Sequence, residues 1–442
     1  MNIVARARNS TLDEALAEAR ERYAAARPES ARIHARAREV LPGGNTRSVL
    51  FYTPFPTAMA RGEGCYLEDV DGHRYADFCG EYTAGLFGHS EARIQAALHA
   101  AIDRGLNLAS VGEHEGQLAA VLCTRFPSLE RVRFTNSGTE ANMMALGAGR
   151  AFTKRSRVLA FNGGYHGGLM TFVGGGGSPT NAPLPVTLAD YNDIDGTVAA
   201  LRAGAGEIGA VILEPMMGSG GCIPATREFL LALREATRAA RVLLIFDEVM
   251  TSRHSAGGLQ KVHGVTPDMT TLGKYVAGGM SFGAFGGRAD VMDLFDGHRP
   301  GAIIHSGTFN NNVLSMAGGL VAMGEIFDSA AADAHFARGE ALRERLNDVC
   351  RTRGVVLHFS GLGSMMQPHF RSGPILRPYA ATPAEEALRE LYFFDLLAAG
   401  IYIARRGMIA MSLPIGAAEC DRLIATVDEF CALRGPLMPA AQ

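Results

Sequence analysis

RVRFTNSGTEANMMALGAG, residues 131–149, passes from a short β-branched and apolar run through Asn136-Ser137-Gly138-Thr139 straight into a helix-forming run. Strand, glycine-bearing turn and helix in immediate succession form the repeating unit of an α/β sheet. The same pattern recurs between about 90 and 325, with strands expected at 131–135, 157–161, 210–214 and 242–247 and helical stretches at 139–153, 194–204 and 226–240. These strands are apolar without clean alternation, as strands covered on both faces are, so the sheet is expected to be mostly parallel. Ligand chemistry in such a sheet belongs at the carboxyl ends of the strands.

Outward from this block, residues 11–40 place Ala and Leu among Glu and Arg at helical spacing until Pro42-Gly43-Gly44. Residues 59–79 read as short strands with a turn at Asp71-Gly72. After about 328 come amphipathic helices at 332–351, 384–399 and 418–433 mixed with short strands, a smaller α+β domain. The expected organisation is an N-terminal segment, 1–75, packing with the small domain; a large α/β domain, 76–327; and the small domain, 328–442.

A chain of 442 residues with 47% hydrophobic and 20% charged residues can bury a large core, which excludes disorder and small disulfide scaffolds. Forty-two basic residues against 45 acidic ones give −3, leaving no basic excess to hold a nucleic-acid backbone. The seven cysteines are odd in number and form no C-x-x-C pair, so they read as buried thiols of a reducing compartment. No apolar run approaches the roughly 18 residues of a membrane span. The basic opening MNIVARARNS runs at once into Asp13, Glu14, Glu18 and Glu21, which suits a helix better than a targeting peptide. A cytoplasmic protein is expected.

Some motifs fail on context. Gly204-Ala-Gly-Glu-Ile-Gly209 has dinucleotide-site spacing but follows a helical stretch and precedes a strand, the inverse of what places a helix amino end on a pyrophosphate. Gly273-Lys274 lacks the upstream glycine of a phosphate loop, and His114-Glu115 lacks the second histidine of a zinc helix. No metal site is expected.

Four strand-end features carry chemistry. The turn Ser137-Gly138-Thr139 at a helix start offers free N–H groups, two hydroxyls and the positive end of a helix dipole to an anion, although Ser137-x-x-Glu140 is also the spacing of a capping box. VLLIFDE, 242–248, ends a very apolar strand in Asp247 and Glu248, where a carboxylate needs a cationic or hydrogen-bonding partner such as a protonated ring nitrogen. TTLGKYVAGGMSFGAFGG, 270–287, holds Lys274 with no other charge until Arg288. Only two other lysines exist, Lys154 and Lys261, both beside charged or polar neighbours. A desolvated lysine becomes nucleophilic, as Schiff-base formation requires. FNGGYHGG, 161–168, is a strand and turn presenting Tyr165 and His166, an aromatic suited to stacking on a flat ring. Anion cup, ring-nitrogen carboxylate, imine lysine and stacking aromatic are together what pyridoxal 5′-phosphate demands.

FTNSGTEAN, FNGGYHGG, LEPMMGSGG, FDEVMTSR, TTLGKYVAGGMSFGAFGG and HSGTFNNN, in this order across roughly residues 35–430, resemble the class III aminotransferases of the fold-type-I pyridoxal-phosphate superfamily. Two branches look similar, glutamate-1-semialdehyde aminomutases and transaminases of aromatic β-amino acids; GGNTRSVLFYTPFP, GEYTAGLFGHS and the Arg-Gly within 403–408 look more like the second. The resemblance implies that Lys274 holds the cofactor and moves the substrate proton, and that Asp247 pairs with the ring nitrogen. It further implies that Ser137, Gly138 and Thr139 bind the phosphate, Tyr165 and Val249 flank the ring, and Glu214 supports it through hydrogen bonds from behind. Thr308 is implied to reach the phosphate of a neighbouring subunit, hence a homodimer with shared sites. Arg47 resembles a substrate-carboxylate anchor, and Arg406 one for the α-carboxylate of glutamate or 2-oxoglutarate. Arg405 adjoins it and leaves open which of the two faces the pocket, and Tyr82 is a candidate lining residue. The resemblance therefore implies a ping-pong transamination from a β-amino acid to 2-oxoglutarate; the alternatives are an intramolecular aminomutase or a transaminase of other amines or α-amino acids.

Borohydride reduction of the cofactor-loaded protein followed by peptide mapping is expected to tag Lys274 and neither Lys154 nor Lys261, and Lys274→Ala to abolish turnover. A tag elsewhere, or an active Lys274→Ala variant, overturns the assignment.

Overall fold

The computed structural model of this chain describes residues 11–439, so the opening MNIVARARNS lies outside the described residues. α1 (Leu12–Ala25) begins where Thr11 accepts a hydrogen bond from the Glu14 amide at 3.2 Å. The periodicity of 11–40 predicts one helical stretch, but Pro28 divides it and opens α2 (Pro28–Ala37). Proline brings no N–H and disfavours helical geometry in the residue before it, and Arg27 takes φ −133° and ψ 56°. β1 (Met59–Glu63), β2 (Tyr66–Asp69) and β3 (Arg74–Asp77) form an antiparallel meander, with the Asp71-Gly72 turn before β3.

Next come α3 (Ala92–Arg104), α4 (Glu113–Arg125), β4 (Arg131–Thr135), α5 (Gly138–Thr153), β5 (Arg157–Phe161), β6 (Val186–Ala189), α6 (Ile194–Ala203) and β7 (Ile208–Leu213). A small hairpin, β8 (Met216–Met217) and β9 (Ile223–Pro224), precedes α7 (Arg227–Ala240), β10 (Leu243–Asp247), α8 (Gly258–His263), β11 (Met269–Gly273) and β12 (Gly283–Gly287). α9 (Ala289–Met292), α10 (Val313–Val321) and α11 (Ser329–Arg353) follow. The chain continues with β13 (His358–Leu362), β14 (Met365–His369), α12 (Pro383–Ala398), β15 (Ile401–Tyr402), β16 (Ile409–Ala410) and α13 (Ala417–Arg434).

Two compact units result. Of the described residues, the smaller comprises 11–91 with Arg338–Pro374 and 380–439; the larger is Ala92–Ala337 with Ile375–Tyr379. The sequence pattern sets boundaries at 75/76 and 327/328, whereas contacts divide the chain at 91/92 and 337/338. β3 pairs in parallel with β15 and the Gly80–Thr83 turn packs on β16, which draws the chain beyond residue 75 into the smaller unit. That unit holds two sheets, ordered β1-β2-β3-β15 and β13-β14-β16, around a core rich in α12 aromatics such as Tyr392, Phe393 and Phe394.

The larger unit is built on a seven-stranded sheet ordered β4-β12-β11-β10-β7-β5-β6. β12 runs antiparallel to both neighbours and every other pairing is parallel. β7, β10 and β11 are buried along their whole length, which is why they lack alternation. The sequence reading placed four of the seven strands and missed β6, β11 and β12; Thr270, Thr271 and glycine-rich GAFGG give little strand signal. The Gly204–Gly209 motif does lie between the end of α6 and the start of β7. Among the described residues no single helix is long and apolar enough to cross a membrane.

β12 brings the ends of β4 and β11 together through one residue. Gly283 pairs with Thr135 on one side and Gly273 on the other, so the turns carrying Ser137 and Lys274 leave the sheet beside each other. A Cβ on Gly283 would lie 2.1 Å from the Ser137 carbonyl oxygen and 2.3 Å from Thr135 Oγ1. Gly283→Ala is therefore expected to cost about 1–3 kcal/mol of stability and to weaken cofactor retention, as checked by urea unfolding and by dialysis. Wild-type values for both measurements would contradict this packing.

Candidate active site

The carboxyl edge of the seven-stranded sheet gathers the expected groups of the larger unit. Asp247, the last residue of β10, is 3% exposed. Its Oδ2 accepts from Asn142 Nδ2 at 2.7 Å and from His166 Nδ1 at 2.8 Å, and its Oδ1 from the Val249 amide at 3.1 Å. An ionised carboxylate only accepts, so His166 carries its proton on Nδ1 towards Asp247. Thr271, opposite Asp247 in the β10–β11 register, donates its hydroxyl to Asn142 Oδ1 at 2.6 Å. That bond orients the amide, whose nitrogen reaches both Asp247 and the His166 carbonyl. Three donors replace the water that a buried carboxylate loses.

Glu214 follows β7 and is buried at 4%. Its Oε1 accepts the Tyr165 amide at 3.0 Å and its Oε2 the Gly218 amide at 2.9 Å, so it sets the turn that presents Tyr165, a residue 39% exposed. Burial, and then the charge of Asp247, push the Glu214 carboxyl up to about 7, against the opposing pull of His166 and the two amides. Two neighbouring carboxyls thus have unequal support, three donors for Asp247 against two backbone amides for Glu214.

Lys274 follows β11 in a left-handed conformation, φ 56°, and is half-buried, whereas Lys154 and Lys261 are exposed. Val249 packs between the start of α5 and this turn: a Cβ on Gly138 would lie 2.8 Å from its methyls, and one on Gly273 3.1 Å. Ser137 caps α5 by accepting the Glu140 amide at 3.2 Å, while Glu140 reaches back to the Asn136 amide at 2.9 Å. The cap does not use up the helix start, because the first-turn amides of Gly138 and Thr139 have no partner within the helix and remain open to an anion. Gly167 lies so close to Thr139 that a Cβ would meet its Oγ1 at 2.1 Å, which ties the Tyr165 turn to the same cup. Thr308 lies on an exposed stretch with Ile304 and Phe309. Asn310, just beyond it, accepts from Asn136 Nδ2 at 3.0 Å.

The smaller unit holds Arg47, Tyr82 and Arg406 together. The Arg47 and Arg406 guanidinium carbons lie 5.3 and 5.7 Å from the Tyr82 ring centroid, within cation–π range. Tyr82 is buried and donates its hydroxyl to the Val49 carbonyl at 3.2 Å. It borders a cavity of about 420 Å³ that also meets Tyr52, Asp77, Cys79, Glu81 and His89. Of the two adjacent arginines, Arg405 is paired with Glu390 at 2.7 Å. Arg406 donates to Met408 Sδ at 3.1 Å, its Nε is buried without a hydrogen-bond partner, and it pairs with no carboxylate among the described residues.

Asn142 and Thr271 escaped the sequence reading, and His166, read as presented at the turn, is buried facing Asp247. The available signal was an asparagine followed by an apolar run inside a helix, a residue that prefers caps and turns unless its side chain has a buried partner.

The donor set fits pyridoxal 5′-phosphate: an anion cup at the start of α5, a secured carboxylate for the ring nitrogen, an aromatic at the rim and a single sheltered amine. These groups are those of a pyridoxal-phosphate enzyme, and the chain belongs to the class III aminotransferases, whose family model matches residues 51–424. It is 48% identical over 433 residues to a β-phenylalanine transaminase of Variovorax paradoxus, covering 98% of this chain and 99% of that protein. The crystal structure of a β-phenylalanine aminotransferase from V. paradoxus superposes with a TM-score of 0.95 at 48% identity, over 98% of this chain and 100% of that one. A transaminase structure with PLP bound gives 0.86 at 31% identity, over 93% and 98%. A glutamate-1-semialdehyde 2,1-aminomutase of Heliobacterium modesticaldum is 33% identical, over 90% of this chain and 96% of its own length.

Because the Glu214 carboxyl is raised from its ordinary 4.5 to about 7, the folded state holds that proton more tightly than the unfolded chain. Its contribution to stability is full below about pH 4.5 and is lost as pH rises through about 7. Melting curves of the apoprotein should show Glu214→Gln gaining on the wild type across that window. A difference that stays constant with pH would refute this.

Proposed function

We propose that this enzyme transfers the amino group of an aromatic β-amino acid, β-phenylalanine or a close analogue, to 2-oxoglutarate in two half-reactions, the keto product leaving before the acceptor enters. The observation that carries the reading is the Arg406 guanidinium, which has no carboxylate partner among the described residues although its neighbour Arg405 has one. An intramolecular aminomutase has no second acid to hold and no need of a vacant fork; a transaminase taking a dicarboxylic keto acid does. The 48% identity to a β-phenylalanine transaminase supports the donor class.

Bound pyridoxal 5′-phosphate supplies an electrophilic carbon for the amine and a ring that draws electrons away from the substrate. Around it Ser137, Gly138 and Thr139 hold the phosphate, and Tyr165 and Val249 keep the ring in its plane. Glu214 fixes the Tyr165 turn from behind. Asp247, steadied by Asn142 and His166, keeps the ring nitrogen protonated. Lys274 Nζ takes the proton from the amine-bearing carbon of the donor and returns it on the other side of the reaction. Arg47 anchors the donor carboxylate beside Tyr82, and Arg406 anchors the α-carboxylate of 2-oxoglutarate. Thr308 serves the phosphate of the second subunit of a homodimer. Seven free cysteines suit a cytoplasmic setting.

The test is a donor panel assayed with 2-oxoglutarate: β-phenylalanine, simple α-amino acids and 1-phenylethylamine. The expected outcome is the highest kcat/KM for β-phenylalanine, strict dependence on the keto acid, and an Arg406→Ala variant whose KM for 2-oxoglutarate rises on the order of tenfold to a hundredfold. Steady turnover of glutamate-1-semialdehyde with no acceptor present would replace this reading with the aminomutase.

A further inference from the structure

The two anchoring arginines differ in one respect. Among the described residues Arg406 has no carboxylate on it, while Arg47 is ion-paired with Glu81. We propose that Glu81 is a specificity-determining residue: its carboxylate occupies Arg47 in the resting enzyme and must yield it to the carboxylate of the incoming donor, a competition that Arg406 does not impose. This rests on the reading of Arg47 as the donor's anchor.

The backbone carries the first part of the argument. Glu81, Tyr82 and Thr83 have φ of 47°, 53° and 83°, three consecutive non-glycine residues in left-handed geometry. Such conformations persist only where the surroundings enforce them. Here Asp77 Oδ1 accepts the Cys79 amide at 2.9 Å and the Gly80 amide at 3.0 Å. Gly80 itself approaches β16 so closely that a Cβ would lie 2.6 Å from the Ala410 oxygen. What this strained turn achieves is placement: it sets the Glu81 carboxylate on Arg47 and the Tyr82 ring within reach of both guanidiniums.

The second part is the ease of exchange. The Arg47 and Glu81 side chains are 43% and 57% exposed, and an ion pair that open to water is weak. A substrate carboxylate offers the guanidinium fork the same chemistry, so one anion replaces another and water receives the displaced Glu81. Tyr82 does not leave with it. Its ring stays beside Arg47 and its hydroxyl holds the Val49 carbonyl two residues on, so the freed guanidinium remains placed. Carboxylate ligands, which must displace Glu81, are thus bound more weakly by a modest factor that uncharged ligands do not incur, so Glu81 sets the margin by which the site favours an acid over its neutral analogue.

The experiment uses the holoenzyme and its donor half-reaction, followed by the absorbance change without any keto acid. Glu81→Gln, isosteric and uncharged, is expected to lower the half-saturating concentration of β-phenylalanine roughly two- to fivefold. The inhibition constant of 3-phenylpropanoate should fall by the same factor, and that of the uncharged 3-phenylpropanamide should not move. Glu81→Asp should restore part of the wild-type value, and a melting curve confirms that each variant is folded. If Glu81→Gln leaves the β-phenylalanine and 3-phenylpropanoate values unchanged, or shifts the amide equally, the proposal is wrong. Arg47→Ala separates the two levels: weakened carboxylate binding there with no effect of Glu81→Gln overturns the role of Glu81 alone. Unchanged carboxylate binding in Arg47→Ala overturns the anchor and the competition together.

Discussion

A carboxylate taken out of water at the end of an apolar strand is the constraint around which the larger unit is arranged. Asp247 is tolerable there only because Asn142, His166 and the Val249 amide donate to it. Each donor comes from a different part of the fold: α5, the turn after β5, and the residues after β10 itself. The Thr271 hydroxyl, from the neighbouring strand, leaves the Asn142 amide one productive orientation. Satisfying one buried charge therefore fixes the mutual positions of the helix that begins at Ser137, the turn that presents Tyr165 and the strand that leads into Lys274.

Close approach without side chains is the second device. Gly138, Gly273 and Gly283 let Val249, the Ser137 carbonyl and the two turns meet at distances that a Cβ would clash with at Gly138 and Gly283 and crowd at Gly273. Glycine runs that look like flexibility in the sequence act here as the absence of obstruction. Glu214 is the counterweight: placed near Asp247 with only two amides in support, it is pushed towards the protonated form and spends its hydrogen bonds on the Tyr165 turn. The two carboxyls are kept chemically distinct by their surroundings alone.

The arginines of the smaller unit show the same economy. A chain with 39 arginines and three lysines must distinguish structural guanidiniums from those left open to ligands. It does so by partner: Arg405 is held by Glu390, Arg406 by an aromatic ring and a thioether, Arg47 by a ring and an exposed carboxylate. The carboxylate on Arg405 is buried, that on Arg47 is exposed to water, and Arg406 carries none among the described residues.

The sequence by itself determined the α/β class, the positions of β4, β5, β7 and β10 with α5, α6 and α7, and Lys274 as the one sheltered amine. These depend on local patterning, on strand–turn–helix order and on the scarcity of lysine, all written along the chain. It did not reveal the break at Pro28 within an otherwise continuous helical period, nor β11 and β12, whose threonines and glycines are chosen for what packs on them. Nor did it separate Arg405 from Arg406, or find Asn142, Thr271 and Glu81. Their pairings exist only in the tertiary structure, because a hydrogen bond or an ion pair is a property of two residues brought to about 3 Å of each other, and periodicity carries no record of which distant partner the fold supplies.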